Sequence, residues 1–170
     1  KKMEAQDIKY RLDKLKQISI YVFVWGIVAH AYQFFDFYPS HDSLMIVSDD
    51  AMWQISLGRF AEPLNVFVRG KINAPWLIGM LSLIFLSAAL YLITELLELK
   101  KKMSICILAG FFTTNFIMIS LYATYMHNAD MYMLAFLSAC LGVYLLDRCI
   151  PISILLFSFS MGIYQSYIAC

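Results

Sequence analysis

The run PWLIGMLSLIFLSAALYLITELLEL, residues 75–99, carries no charge before Glu95. A helix rising about 1.5 Å per residue needs roughly 20 apolar residues to cross a hydrocarbon layer of roughly 30 Å, and this run supplies them. Lys100, Lys101 and Lys102 close it. Similar apolar blocks lie to either side: 103–126, 131–146 and 151–170 after it, and 18–35 before it. The block 131–146 is slightly short, and Asp147 and Arg148 can reach the interface and extend it. Residues 1–17, KKMEAQDIKYRLDKLKQ, are charged throughout and suit a short cytoplasmic helix. The expectation is an all-α, polytopic transmembrane helical bundle of about five spans, forming one domain without repeats or linkers.

Composition agrees. Of 170 residues, 61% are hydrophobic and 15% charged, against about 45–50% and about 25% in soluble chains. A net charge of +1, with no basic cluster interleaved with aromatics, gives no footprint for nucleic acid. The four cysteines, Cys106, Cys140, Cys149 and Cys170, form no CxxC pair. They read as buried small hydrophobes rather than zinc ligands or a disulfide framework.

Lysine and arginine bias sets the expected orientation. With the N-terminus in the cytoplasm, Lys1, Lys2, Lys9, Arg11, Lys14, Lys16, Lys100, Lys101, Lys102 and Arg148 lie inside, ten of the thirteen basic residues. Arg59, Arg69 and Lys71 lie outside. The outer face then holds the 36–74 stretch, with Asp36, Asp42, Asp49, Asp50 and Glu62, and the short loop 127–130 with Asp130. This describes a multi-pass protein of the inner or plasma membrane.

The outer stretch is where chemistry is expected. Ser48-Asp49-Asp50 makes a helix start, since acidic side chains suit the positive end of the helix dipole. Met52, Trp53, Ile55, Leu57 and Phe60 follow at helical spacing as far as Pro63, predicting an amphipathic helix on the membrane surface. A carboxylate there can take a proton from an acceptor hydroxyl as it attacks an activated carbon. A nearby arginine can hold a phosphate bidentately. If 49–60 is one helix, Asp49 and Arg59 are about 15 Å apart and cannot share a reacting atom. Asp42 precedes that helix and can fold back toward either end. The competing reading is a solvated loop whose charges only keep it out of the bilayer.

Three stretches carry a family resemblance: HDSLMIVSDDAMWQISLGRFAEPLNVFVRGKINAPWLIG from residue 41, Asp130-Met131-Tyr132-Met133-Leu134, and Gly162-Ile163-Tyr164-Gln165-Ser166-Tyr167. From about residue 18 onward the chain resembles the integral-membrane type II glucosyl transferases of the GT-C class, which decorate O-antigen and related surface polysaccharides. The resemblance implies a GT-C-like bundle and a polyprenyl-phosphate-linked sugar donor, with glucose as the sugar. It also implies a glycan acceptor outside the cytoplasm. The catalytic aspartate belongs to the first outer loop, by position Asp42. Gly58-Arg59 matches the family's Gly-Arg, with Arg59 on the carrier phosphate, and Asp130 orients acceptor or donor. Where family members often show paired acids, this chain has His41-Asp42-Ser43, with Asp49-Asp50 seven residues later, so the working carboxylate stays open among Asp42, Asp49 and Asp50. His41, Arg69 and Gln165 complete the expected substrate contacts. No sequence feature demands a metal. Some enzymes of the class use a divalent ion, for which the three aspartates would be ligands. Members of the family are much longer, so the chain is expected to be the N-terminal part of a larger enzyme.

Two other readings compete. A lipid-linked-glycan transporter or flippase needs ionisable groups along its spans, and these hold almost none besides His30. A non-catalytic membrane subunit is the third. His30 itself reads as a histidine hydrogen-bonded between helices, and Phe60 and Trp53 as membrane anchors. Glu95 and Glu98 are expected to pair locally with the lysines beside them. Gly79, Ser82, Ser87, Gly110 and Gly142 are expected to let helices approach closely.

Overall fold

The computed structural model describes residues 2–36, 55–63, 67 and 74–164, with side chains from residue 6 onward. Among these residues the regular structure is entirely helical: α1 (Lys2–Phe35), α2 (Pro75–Leu96), α3 (Lys102–Thr114), α4 (Phe116–Thr124), a 3-10 turn (Met126–Asn128), α5 (Ala129–Leu145) and α6 (Ile150–Ile163). Helix α1 packs on α2 and α3, α2 also packs on α5, and α5 packs on α6. The all-α bundle read from the apolar blocks is therefore the fold.

Gln6–Phe35, Pro75–Leu96 and Met126–Leu145 are long and apolar enough to cross a membrane, and α3 with α4 makes a fourth if the bent pair is one span. The fifth expected span corresponds to α6, a shorter apolar helix of 14 residues.

Helix α1 corrects one expectation. The charged leader and the first span are not two helices but one of 34 residues, about 50 Å long at about 1.5 Å per residue. No proline interrupts it, and Gly26, its one glycine, faces α2 rather than breaking the rod.

Three rungs fix α1 against α2. At one end Lys14 Nζ meets Glu95 Oε1 at 2.6 Å and Thr94 O at 3.4 Å. In the middle Leu83 fills the slot of Gly26, where a Cβ would lie 2.6 Å from its Cδ2. At the other end Phe34, 1% exposed, fills the slot of Gly79. Residues advancing along α1 meet residues receding along α2, so the helices are antiparallel. Glu95 thus takes a lysine from another helix rather than the neighbouring Lys100–Lys102. The chain leaves α2 through a left-handed turn at Glu98 (φ 50°), with Leu99 N donating to Thr94 O at 2.9 Å. That turn also ends the helix at Leu96, short of the expected Leu99.

The third block is bent by 42° between α3 and α4. No proline causes the bend. Thr113 Oγ1 donates back to Ala109 O, and Thr114 Oγ1 to Gly110 O at 2.8 Å, a habit that distorts helices. Asn115 then leaves helical geometry (ψ 162°) and caps both sides. Its Nδ2 donates to Phe111 O at 3.2 Å and Phe112 O at 3.0 Å, and its Oδ1 accepts from Met118 N at 3.0 Å. His30, fully buried on α1, places Nε2 2.8 Å from Thr113 O. The histidine is the interhelical hydrogen bond that its place in the span suggested. A bend inside an apolar layer persists only when freed backbone groups find such partners.

Gly79→Leu is expected to lower the unfolding free energy by about 1–3 kcal/mol, because the buried Phe34 ring has nowhere to go. Gly142→Ala meets the Phe157 ring at a softer 3.1 Å and should cost clearly less. Thermal unfolding of the purified variants in one detergent checks the ranking.

Candidate functional site

The end of the bundle opposite Lys14 and Glu95 gathers the C-terminus of α1, the start of α2, the 3-10 turn, the first turn of α5 and the last turn of α6. Residues 59–62 of the outer stretch dock here. Ala61 N donates to Gly162 O at 2.8 Å, and the Phe60 ring lies over Gly162 so closely that a Cβ there would overlap it. Phe60 is thus a packing contact against α6 as well as the exposed aromatic expected of a membrane anchor.

The expected surface helix is not continuous. Among the described residues, Ile55 and Ser56 are helical and a turn follows at Leu57 and Gly58. Gly58 sits at φ 80°, where a side chain would be strained, and its N–H returns to Ile55 O at 2.9 Å. The part of that helix assigned to residues 49–54 lies outside the described residues.

The turn that replaces the helix carries Arg59 inward. Its Nη1 is 3.7 Å from Glu62 Oε2, and its guanidinium carbon stands 5.6 Å from the centre of the Tyr164 ring. Glu62, 2% exposed, also accepts from Asn128 Nδ2 at 2.5 Å. One carboxylate therefore ties the outer stretch to the 3-10 turn, while the cation–π contact ties it to α6. Tyr164 adjoins Tyr132 with ring centres 5.0 Å apart, and Tyr132 adjoins Tyr125 edge-on at 6.2 Å. Tyr125 also neighbours His127 at 6.4 Å. Asp130 lies in the first turn of α5, 3% exposed, with Oδ1 accepting Met131 N at 2.9 Å.

Of the expected site residues, Arg59 and Asp130 are therefore described, and both sit at this end of the bundle. His41, Asp42, Asp49, Asp50, Arg69 and Gln165 lie outside the described residues. Among the described residues no group of three or more His, Cys, Asp or Glu side chains could hold a metal ion. The three aspartates named as ligands are not among them.

Sequence reading missed the centre of this cluster. In the sequence Glu62 reads only as an outer charge, Asn128 as a loop residue, and Tyr132 and Tyr164 only as parts of matching motifs. The available signal was the spacing Arg59–Glu62, three residues apart, which lets the two side chains meet on one turn.

Chemically, the cluster presents a half-buried guanidinium held from two sides. Glu62 takes Nη1 and Tyr164 takes one face. Nε and Nη2 have no hydrogen-bond partner among the described residues and can receive an anion as a fork. The Tyr164 and Tyr132 rings stand beside it.

These apolar helices define a polytopic membrane protein, with Arg59, Glu62 and the tyrosines gathered at one end of its bundle. The chain belongs to the glucosyl transferase family described as Glucosyl transferase GtrII, which matches residues 31–170. Glycosyl transfer is thus its reaction class. No curated protein and no solved structure matches the chain.

Glu62→Ala leaves the Asn128 amide and the Arg59 guanidinium without their shared acceptor. It should destabilise the protein by roughly 1–3 kcal/mol. Glu62→Gln keeps an acceptor for Asn128 and should recover part of that loss. Thermal unfolding of the pair measures the difference.

Proposed function

We propose that the chain moves glucose from a polyprenyl-phosphate carrier to a surface-glycan acceptor on the non-cytoplasmic side, with its N-terminus in the cytoplasm. The observation that carries this reading is the Arg59 guanidinium, held by Glu62 and Tyr164 at the end of the bundle where Asp130 also lies. Family membership supplies the glucosyl group. The lysine-rich opposite end supports the orientation.

The step is a single displacement. An acceptor hydroxyl oxygen attacks the anomeric carbon while the bond from that carbon to the phosphate oxygen breaks. The bonding pair leaves with the polyprenyl phosphate, whose growing charge Arg59 stabilises. The hydroxyl proton passes to a carboxylate of the outer stretch, Asp42 or one of Asp49 and Asp50. Asp130 orients donor or acceptor. His41, Arg69 and Gln165 contribute further substrate contacts, and the tyrosines flank the sugar. Should the enzyme use a divalent ion, the outer-stretch aspartates are its ligands.

Arg59→Lys keeps the charge but loses the fork. Loss of one charged hydrogen bond, about 1.5–3 kcal/mol, corresponds to roughly a tenfold to hundredfold fall in transfer rate. Asp42→Asn should abolish transfer if Asp42 is the base. Retained activity in a well-expressed Asp42→Asn protein moves the role to Asp49 or Asp50, tested by the same change there. Full activity in Arg59→Lys removes Arg59 from the mechanism. The readout is glucosylation of the surface polysaccharide.

Orientation is tested separately. In a chain freed of its native cysteines, Asp36→Cys should react with an impermeant thiol reagent applied from outside, and Lys101→Cys should not. The reverse pattern overturns the assignment.

A further inference from the structure

At the lysine-rich end a cavity of about 370 Å³ opens between α1 and α3, lined by Asp13, Lys16, Gln17, Ile20, Tyr21 and Lys102. It sits where the charged part of α1 gives way to its apolar part and where α3 begins, the level of lipid headgroups. We infer that this cavity binds the headgroup of one anionic glycerophospholipid, with the phosphodiester between Lys16 and Lys102 and one acyl chain along α1.

Four observations support the assignment. Lys16 and Lys102 come from different helices and have no ion-pair partner among the described residues, so both ammonium groups are available to the cavity. Gln17 Nε2 donates to the Tyr21 hydroxyl oxygen at 2.9 Å, which leaves the tyrosine proton to be given to an acceptor in the cavity. Lys102 opens α3, whose first turn holds no acidic residue and whose N-cap makes no side-chain bond, so the helix dipole adds the same sign. Asp13 is the one acid in the lining. It offsets part of the positive charge and can accept from a hydroxyl, which favours a hydroxyl-bearing anionic headgroup such as glycerol.

A lipid rather than a free anion is indicated by what lies below the lysine. Lys16, Ile20, Val24 and Val28 follow at four-residue intervals and so form one row on α1. The last three are 52%, 55% and 75% exposed. From Ile20 to Val28 the row runs about 12 Å at about 1.5 Å per residue, close to half of a hydrocarbon layer of roughly 30 Å. A free phosphate makes no use of that row, whereas an acyl chain continues from the lysine straight onto it.

The test uses the full chain reconstituted in phosphatidylcholine vesicles doped with phosphatidylglycerol, then extracted in mild detergent. Lipids retained per chain are counted by native mass spectrometry. Phosphatidylglycerol should be retained over phosphatidylcholine by roughly tenfold or more. Lys16→Gln with Lys102→Gln should erase that preference, and the corresponding double arginine variant should restore it. A control pair outside the cavity, Lys9→Gln with Arg148→Gln, should leave it unchanged. All the substituted residues are exposed, and thermal unfolding confirms that each variant is folded. Equal retention of the two lipids, or an undiminished preference in the double glutamine variant, overturns the site. Displacement of the retained lipid by excess inorganic phosphate overturns the lipid assignment in favour of a free-anion site.

Discussion

The antiparallel seam between α1 and α2 orders everything else. It is made of unlike contacts: an ion pair at Lys14–Glu95, then two glycine slots filled by Leu83 and Phe34 from opposite helices. In an apolar solvent, leucine gains little by leaving lipid for protein, so helix association rests on close fit and on polar groups that pair. The slots provide fit and the ion pair provides register. A shift by one turn would empty both slots and strand a lysine that is 8% exposed. With the register fixed, α3 packs on the back of α1 and α5 on α2, and the two ends of the bundle acquire opposite characters.

The bend at Asn115 belongs to the same logic. A helix interrupted inside an apolar layer must hand its unpaired backbone groups to something. One asparagine caps both halves, and His30 takes a carbonyl beside the break. The His30 ring meets Tyr122 at a tilt, ring centres 4.5 Å apart, and the Tyr122 hydroxyl bonds Ser82 on α2 at 2.7 Å. A chain of polar and ring contacts thus links α1, α2, α3 and α4.

Much of this was legible beforehand. Apolar block length foretells the helices, because a hydrocarbon layer constrains it directly, but lysines do not mark their ends: α2 stops at Leu96, ahead of Lys100, and α1 runs on through its own lysines. Gly79 was legible as a small residue for close approach, but Gly26 was not, and neither was legible as a lock-and-key pair, since which side chain enters a slot depends on register. The bend was hidden because Thr113-Thr114-Asn115 is uncharged and passes for part of an apolar run. In the site, Arg59 stood out as a cation on the side poor in cations. Glu62 did not, because an acid on that side is unexceptional until burial and the amide of Asn128 give it a purpose. The surface helix was overextended for a simple reason: apolar periodicity ran through Gly58, and periodicity does not register a reversal of φ.

The one-piece α1 has a mechanical corollary. The helix runs unbroken from its lysines to Phe35. Sliding it would empty the two filled slots and part Lys14 from Glu95, so a displacement of either tip of α1 has to carry α2 along with it.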